Sequence, residues 1–279
     1  MYAAKADGRN TLRFFSPQMQ TLMVARIEME NDLHEAIKKE QFVLYYQPIV
    51  SCKNKLIGVE ALIRWLHPER GVIMPVDFIP IAEASGIILP IGLWVIQNAC
   101  DQLAKWACVP EMVELSMAVN VSVMQFHQTD FVRQILTELK RSGANPLRLN
   151  LELTESVLIY DMNDVIDKMI ALKASGISFS LDDFGTGYSS LLYLKRLPLD
   201  RLKIDQSFVQ EILSDQDDAA IAKMIIALSQ NMGLEVSAEG IENHAQLAYL
   251  EDLGCHVYQG YLFSRPLSLQ KFESFVQQV

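Results

Sequence analysis

The chain is poor in the residues that build metal–sulfur centres and disulfide frameworks. Its four cysteines, Cys52, Cys100, Cys108 and Cys255, form no C-x-x-C pair. They read as isolated buried thiols in a reducing cytosol. The five histidines are scattered, with neither H-E-x-x-H nor H-x-H, which argues against a zinc protease. Positive charge is also short, with 24 Lys and Arg against 34 Asp and Glu and a formal charge of −10. Such a surface repels nucleic-acid polymers, so a phosphate ligand needs local positive charge from metal ions or a few placed cations. No apolar run is long enough to span a bilayer. The longest, around Gly86 to Ile96, is interrupted by Pro90. No secretory signal is visible. These absences predict a cytoplasmic segment without membrane contact of its own.

What is present is hydrophobic residue in quantity, 50% of 279 residues. That supports a large core, and the length suits a single α/β barrel. The opening "MYAAKADGRNTLRFF" reads as a short helix to Gly8-Arg9-Asn10 and a strand-like Leu12 to Phe15, too little to fold alone. A helical segment follows from about Pro17 to Lys39, with Leu22, Ile27, Leu33 and Ile37 at rough helical spacing. From residue 42 short β-rich runs alternate with helical patterns. Strands are predicted near 42–50, 56–64, 115–122, 147–154, 177–183, 200–205, 234–239 and 255–262. Helices are predicted at 91–107, 124–141, 161–175, 217–231, 243–252 and 269–279. Only "SCKNK" separates the first two strands, too little for a crossover helix, so they pair antiparallel. The remainder is (βα) repetition, which predicts a closed barrel with one strand running the wrong way.

Several strands alternate where a sheet covered on both faces usually reads as a continuous apolar run. Leu147, Leu149, Leu151 and Leu153 alternate with Arg148, Asn150, Glu152 and Thr154; Ile177, Phe179 and Leu181 with Ser178, Ser180 and Asp182. Leu202 and Ile204 alternate with Arg201, Lys203 and Asp205; Leu234, Val236 and Ala238 with Glu235, Ser237 and Glu239. Period two sends each polar set to one face. If helices cover the apolar faces, the polar faces meet inside the barrel. The other reading, a solvated antiparallel sheet, sits poorly with the helical patterns between these strands.

Active sites of such barrels lie at the C-terminal strand ends. Listed in order, those ends carry Glu60, Leu62 and Arg64 on one face, then Asn120, Glu152 and Glu155, the pair Asp182-Asp183, Lys203 and Asp205, Glu239, and Gln259. If Glu60, Glu152, Asp182, Asp183, Asp205 and Glu239 share one mouth, they cannot all stay ionised unaided. Hard oxygen donors without histidine or thiolate suit Mg²⁺ or Mn²⁺, two ions sharing a bridging carboxylate. Adjacent residues on a strand point to opposite faces. Both acids of "LDDFGTGYSS" reach one mouth if the strand ends at Asp182 and a turn at Gly185 and Gly187 redirects Asp183. The alternative is that Asp183 caps a helix beginning near Ser189 or points to solvent.

The segments "YYQPIV", "EALIRW", "DFIPIAEASG", "NVS", "ELTES", "DDFGTGYSS", "LKID", "AEGIE" and "QGYLFSRP" resemble, in order, those of the EAL domain family, phosphodiesterases that open the bacterial second messenger cyclic di-GMP. The resemblance covers residues 34–279 and implies a variant TIM-type (β/α)8 barrel with one antiparallel strand. It implies hydrolysis to linear pGpG with two Mg²⁺ or Mn²⁺ ions. Glu60, Asn120, Glu152 and Asp182 would hold the first ion, and Asp182 and Asp183 the second. Glu239 and Lys203 would act around the second ion, Lys203 placing the attacking water. Asp205 would support, Arg64 would contact substrate phosphate, Gln47 and Gln259 would line the site, and Glu155 would anchor the 183–190 loop. Six carboxylates against two divalent ions and two side-chain cations leave no net charge. The resemblance also implies a homodimer. The rival readings are a receptor that binds cyclic di-GMP without cutting it and, from fold alone, a metal-dependent lyase or enolase-type enzyme.

Residues 1–16 resemble the final helix and strand of a GGDEF domain, although no G-G-D-E-F sequence occurs in the chain. The implied organisation is a GGDEF remnant at 1–16, a connecting helix at 17–39 and an EAL barrel at 40–279, with GGDEF and sensory domains upstream in a larger, possibly membrane-anchored protein.

Overall fold

A computed structural model describes residues 17–159, 161–185 and 191–278. Its strands, in chain order, are β1 (Phe42–Ser51), β2 (Leu56–His67), β3 (Gly71–Ile73), β4 (Ser116–Asn120), β5 (Leu149–Thr154), β6 (Ser178–Phe184), β7 (Arg201–Ile204), β8 (Glu235–Ala238), β9 (Val257–Tyr258) and β10 (Leu267–Ser268). The helices are α1 (Pro17–Lys38), α2 (Pro75–Ser85), α3 (Ile88–Trp106), α4 (Val123–Phe126), α5 (Phe131–Ser142), α6 (Met162–Lys173), α7 (Leu191–Leu194), α8 (Gln206–Gln210), α9 (Gln216–Met232), α10 (His244–Asp252) and α11 (Leu269–Val276).

Hydrogen bonding runs β1-β2-β4-β5-β6-β7-β8-β9 and returns to β1, closing a barrel. β1 is antiparallel to both neighbours and every other pairing in the ring is parallel. β3 and β10 add antiparallel to β2 and β1 outside the ring. The variant (β/α)8 barrel with one reversed strand is therefore the observed fold. The cause is local: the β1–β2 connection is a tight turn with Asn54 at φ 54°, and a turn of that length joins only antiparallel strands.

The alternation resolves as predicted. Leu149, Leu151, Leu153, Phe179, Leu181, Leu202 and Ile204 are buried in the shell between strands and helices. Each such fully buried side chain contributes roughly 1.5–3 kcal/mol. Asn150, Glu152, Ser180, Asp182, Lys203 and Ser237 are buried too, on the opposite face. Part of the set pairs internally: Asn150 Nδ2 donates to Ser178 Oγ at 2.9 Å, and Ser180 Oγ donates to Asn150 Oδ1 at 2.9 Å. Glu152, Lys203 and Ser237 keep buried polar atoms without a hydrogen bond, and such groups are costly unless something else satisfies them.

The structure departs from expectation in several places. The run 147–154 enters the sheet only at Leu149. Asn145 accepts the Leu147 amide and Pro146 opens a single 3-10 turn, so Leu147 is 70% exposed. The 124–141 pattern is two helices, α4 and α5, separated at 127–130. α2 and the first turn of α3 were absent from the sequence reading: Pro75 at the helix start and Pro90 in the first turn sit where no amide needs a partner. The last barrel strand is short, Val257–Tyr258, because Gln259 and Gly260 already turn away. The cysteines are unpaired, but only Cys100 and Cys255 are buried; Cys52 and Cys108 are exposed. No helix among the described residues is long and apolar enough to cross a membrane. The readings for residues 1–16 and 186–190 lie outside the described residues.

Candidate active site

The C-terminal rim of the barrel gathers the residues the sequence singled out. β2 contributes Glu60, 6% exposed. Its Oε1 accepts Asn120 Nδ2 from β4 at 2.6 Å, and its Oε2 accepts Gln259 Nε2 from beyond β9 at 2.6 Å. Gln259 Nε2 also reaches Gln47 Oε1 at 3.1 Å, and Gln47 faces Glu60 across the β1–β2 ladder. Four strands thus meet at one carboxylate. Arg64, two turns of the pleat further along β2, is buried. Its guanidinium lies over the Tyr45 ring at 5.6 Å and donates to the Ile63 carbonyl at 2.8 Å.

A second group centres on Lys203 of β7. Its ammonium is 2.8 Å from Glu152 Oε2 and 3.2 Å from Asp182 Oδ2, and it pairs with Glu239 Oε1. These are charge contacts; Nζ makes no well-directed hydrogen bond. The two groups adjoin, since Asn120 is paired with Glu152 across β4–β5.

The Asp182-Asp183 pair is explained by a β-bulge. Leu181 pairs with Leu202 and Phe184 with Ile204, so β6 carries one residue more than β7 over the same length. Asp183 absorbs it with φ 55°, a left-handed conformation uncommon for a non-glycine residue. Its amide donates to Asp182 Oδ1 at 3.0 Å. The strand therefore does not end at Asp182, as expected from sequence. It continues to Phe184, and the bulge breaks the alternation. Gly185 follows at φ 102°, and its amide donates to Glu155 Oε1 at 2.9 Å. Asp183 lies close enough to Asp205 for the two carboxyls to act on each other; a helix beginning near Ser189 lies outside the described residues. Asp205 itself caps α8, accepting the Ser207 amide at 3.0 Å.

One ammonium among so many acids shifts their proton affinities. Burial pushes the Glu152 carboxyl up to about 8; Glu60 and Asp182 add to the rise, and Lys203 opposes it. Burial with Asp182 and Asp205 nearby raises Asp183 to about 6. Burial and the neighbours Asp182, Glu60 and Glu152 hold Glu239 well above the carboxylate range. Burial alone would lower Lys203, but Asp182, Glu152, Glu239 and Glu60 outweigh it and keep the ammonium charged. The origins differ: burial, helped by neighbouring acids, raises the carboxyls against the pull of Lys203, whereas the acids raise Lys203 against burial.

Among the described residues, no three His, Cys, Asp or Glu side chains close round a point as a ready metal cage; Lys203 takes the centre. The chemistry of the set nonetheless fits a hard divalent cation. Its donors are carboxylate oxygens and the Asn120 amide, and both Glu152 oxygens are buried without a hydrogen bond. Beside the acids lies a cavity of about 280 Å³ lined by Gln47, Glu60, Arg64, Gln259 and Glu239. Gln206, Glu242 and Tyr261 also line it, and the sequence reading gave them no role. Glu242 stood within the quoted "AEGIE" and Tyr261 within "QGYLFSRP", which was the signal available.

The EAL domain family model matches residues 30–266. MucR of Pseudomonas aeruginosa, a bifunctional diguanylate cyclase/cyclic di-GMP phosphodiesterase, is 43% identical over 272 residues, 97% of this chain and 40% of MucR. PdeR of Escherichia coli, a cyclic di-GMP phosphodiesterase, is 38% identical over 276 residues, 98% of this chain and 41% of PdeR. The solved PaMucR phosphodiesterase in complex with c-di-GMP superimposes with a TM-score of 0.85 at 43% identity, covering 88% of this chain and 99% of that one. The EAL enzyme Bd1971 with cAMP and cyclic-di-GMP bound gives 0.86 at 37% identity, covering 91% and 69%. This chain thus spans about two fifths of MucR and PdeR. The family match takes in the C-terminal part of α1 and the whole closed barrel, and the chain belongs to the EAL domain family.

Proposed function

We propose that this chain is a metal-dependent phosphodiesterase that hydrolyses cyclic di-GMP to linear pGpG. The observation that carries the reading is the β6 bulge, which sets Asp182 and Asp183 together beside Lys203. The names of MucR and PdeR support the substrate. Two Mg²⁺ or Mn²⁺ ions would be held by Glu60, Asn120, Glu152, Asp182 and Asp183, with Glu239 at the second. Such ions supply Lewis-acid charge at the phosphoryl oxygens and acidify water. The chain's own groups do the rest. Arg64 binds the scissile phosphate from the cavity wall, and Gln47 and Gln259 hold Glu60 in its rotamer. Lys203, fixed by three carboxylates, orients the water that joins phosphorus as the bond to a ribose 3′ oxygen breaks. Asp205 supports Asp183.

The competing reading is a receptor that binds the dinucleotide uncut. Lys203 at the centre of the acids, in place of a closed cage, is the observation in its favour. Incubation with cyclic di-GMP in Mn²⁺ decides. Linear product that disappears with chelator supports the enzyme; binding without product establishes the receptor. Ca²⁺ in place of Mn²⁺ should suppress turnover, because its longer bonds and looser geometry misplace the reacting groups; equal rates in the two metals would contradict this.

Glu155 is not among the candidate metal ligands. Among the described residues it accepts the Gly185 amide. Glu155→Ala should lower turnover about 10–100-fold by freeing the end of the bulge, with little change in melting temperature. Unaltered kinetics and Mn²⁺ affinity would count against that anchor.

We extend the proposal to the surroundings: residues 1–16 as the end of a GGDEF domain, α1 as the connecting helix, a homodimer, and a cytoplasmic location. The two activities in the name of MucR support an upstream GGDEF partner.

A further inference from the structure

Gln246 lies on α10, is not itself a candidate ligand, and is 4% exposed. Its carboxamide uses its full hydrogen-bonding capacity. Oε1 accepts the Glu242 and Asn243 amides at 2.9 and 3.2 Å. Nε2 donates to the Val209 and Gln210 carbonyls at 3.1 Å each. The accepted pair closes the capping box of α10, with Asn243 Oδ1 taking the Gln246 amide at 3.0 Å. A cap needs no more than that. The donated pair is a different matter, because it crosses to the end of α8, the helix that begins at Asp205. One side chain therefore joins the loop after β8, which carries Glu239 and Glu242, to the loop after β7, which carries Asp205.

That loop is located on its other sides as well. The Glu239 amide donates to Ile204 at 3.2 Å, and Ile241 donates to Gln259 at 3.2 Å. Gly240, at φ 68°, lies so close to Gln206 that an added Cβ would come within 2.6 Å of its Cβ. On the far side a Cβ on Gly260 would stand 2.1 Å from the Ile241 carbonyl oxygen. Residues 239–243 are thus clamped between the segment of Gln259 and α8, and Gln246 is the tie on the α8 side.

We infer that Gln246 is a positioning residue of the reaction: by tying residues 239–243 to α8 it sets Glu239 against Lys203 and Asp205. The kinetic part of this inference rests on the phosphodiesterase reading; the positional part does not. Gln246→Met keeps the volume and removes all four bonds. Gln246→Glu keeps the two accepted bonds and loses the two donated ones, and serves if the first variant fails to fold. Asn243→Ala removes the cap and leaves the tie. Amide hydrogen exchange at Glu239 and Ile241, whose own partners are untouched by all three changes, is measured beside kcat and KM in saturating Mn²⁺. Both Gln246 variants should speed exchange at these two amides and lower kcat by about 10–100-fold, with KM changed less than about threefold. Asn243→Ala should lower the melting temperature yet leave exchange and kcat near those of the unaltered chain. Unchanged protection at Glu239 and Ile241 in the Gln246 variants overturns the inference whatever the kinetics show, as does an equal effect from Asn243→Ala. Should the unaltered chain fail to cut cyclic di-GMP, the function reading falls and the exchange result alone decides the role of Gln246.

Discussion

Glu60→Ala should reduce the turnover of cyclic di-GMP by on the order of 1,000-fold or more. Glu60 is where four strands converge: it receives Asn120 from β4 and Gln259 from beyond β9, and faces Gln47 of β1. Alanine removes a candidate metal-ligating carboxylate and leaves two buried amide donors without their acceptor. An orphaned buried donor costs about 1–3 kcal/mol, so Asn120 and Gln259 will seek new partners and the rim will rearrange. Glu60→Gln separates the effects. It retains the shape and one acceptor oxygen but loses the charge, so it should preserve much of the stability and still lose most of the activity. The measurements are steady-state kinetics in Mn²⁺ with product analysis, thermal melting and Mn²⁺ titration by calorimetry. Near-normal turnover by pure, folded Glu60→Ala protein would refute the ligand role.

Lys203→Met should be the most damaging substitution for stability at the site, and its cost should grow with pH. Lys203 is the cation among Glu152, Asp182 and Glu239, and removing one partner of a buried ion pair costs about 3–5 kcal/mol. The pH dependence follows from the raised carboxyls. Glu152, pushed up to about 8, Asp183, at about 6, and Glu239 hold their protons in the folded chain at pH values where the unfolded chain has released them. With chelator present, their contribution to stability is complete below the ordinary carboxylate range. It is lost as pH rises towards the folded values. Lys203 works in the opposite sense on these acids, holding their proton affinities down. Its own raised value lies above this window, so its charge is constant throughout it. Without it the acids retain protons to still higher pH. Each extra proton kept by the folded chain removes about 1.4 kcal/mol per pH unit. Chelated Lys203→Met protein should therefore melt close to the unaltered chain at pH 5 and far below it at pH 8. Chemical denaturation across that range tests the point; a pH-independent difference would show that the acids do not share the ammonium. Activity should fall with it, and Lys203→Arg should restore charge and stability more than turnover, because a planar guanidinium does not replace a compact ammonium.

The strands were legible where alternation was strong. Asn150, Glu152 and Asp182 followed a period-two rule that survives folding, because both faces of a barrel strand are buried against chemically different partners. Leu147 broke the rule: Pro146, two residues before Arg148, turned the chain into a 3-10 turn, a local signal stronger than the apolar repeat. α2 was not legible because two prolines suggest a loop, yet Pro75 opens a helix that carries Pro80 in its interior and whose Phe78 and Ala82 are fully buried. Packing, not propensity, decides such a segment. The site residues were legible as a set because several strand ends carry an acid or an amide, a pattern with no structural purpose at a solvated rim. Gln206, Glu242 and Tyr261 were not, since a polar or aromatic residue one step into a loop looks like any surface residue until the cavity beside it is seen.

The order of residues alone determined the strand–helix succession, the reversed first strand and the identity of the acids, because these depend on neighbours within a few positions. Folding decided the rest. That Asp182 and Asp183 share a mouth depends on one extra residue of β6 being matched against β7. That Lys203 stands among Glu152, Asp182 and Glu239, and that Gln246 reaches α8, depends on the pairing of the strands side by side, which brings residues distant in the chain within 3.2 Å. Local sequence carries dihedral preference and periodicity; distances across a closed sheet are set only when the last strand pairs with the first.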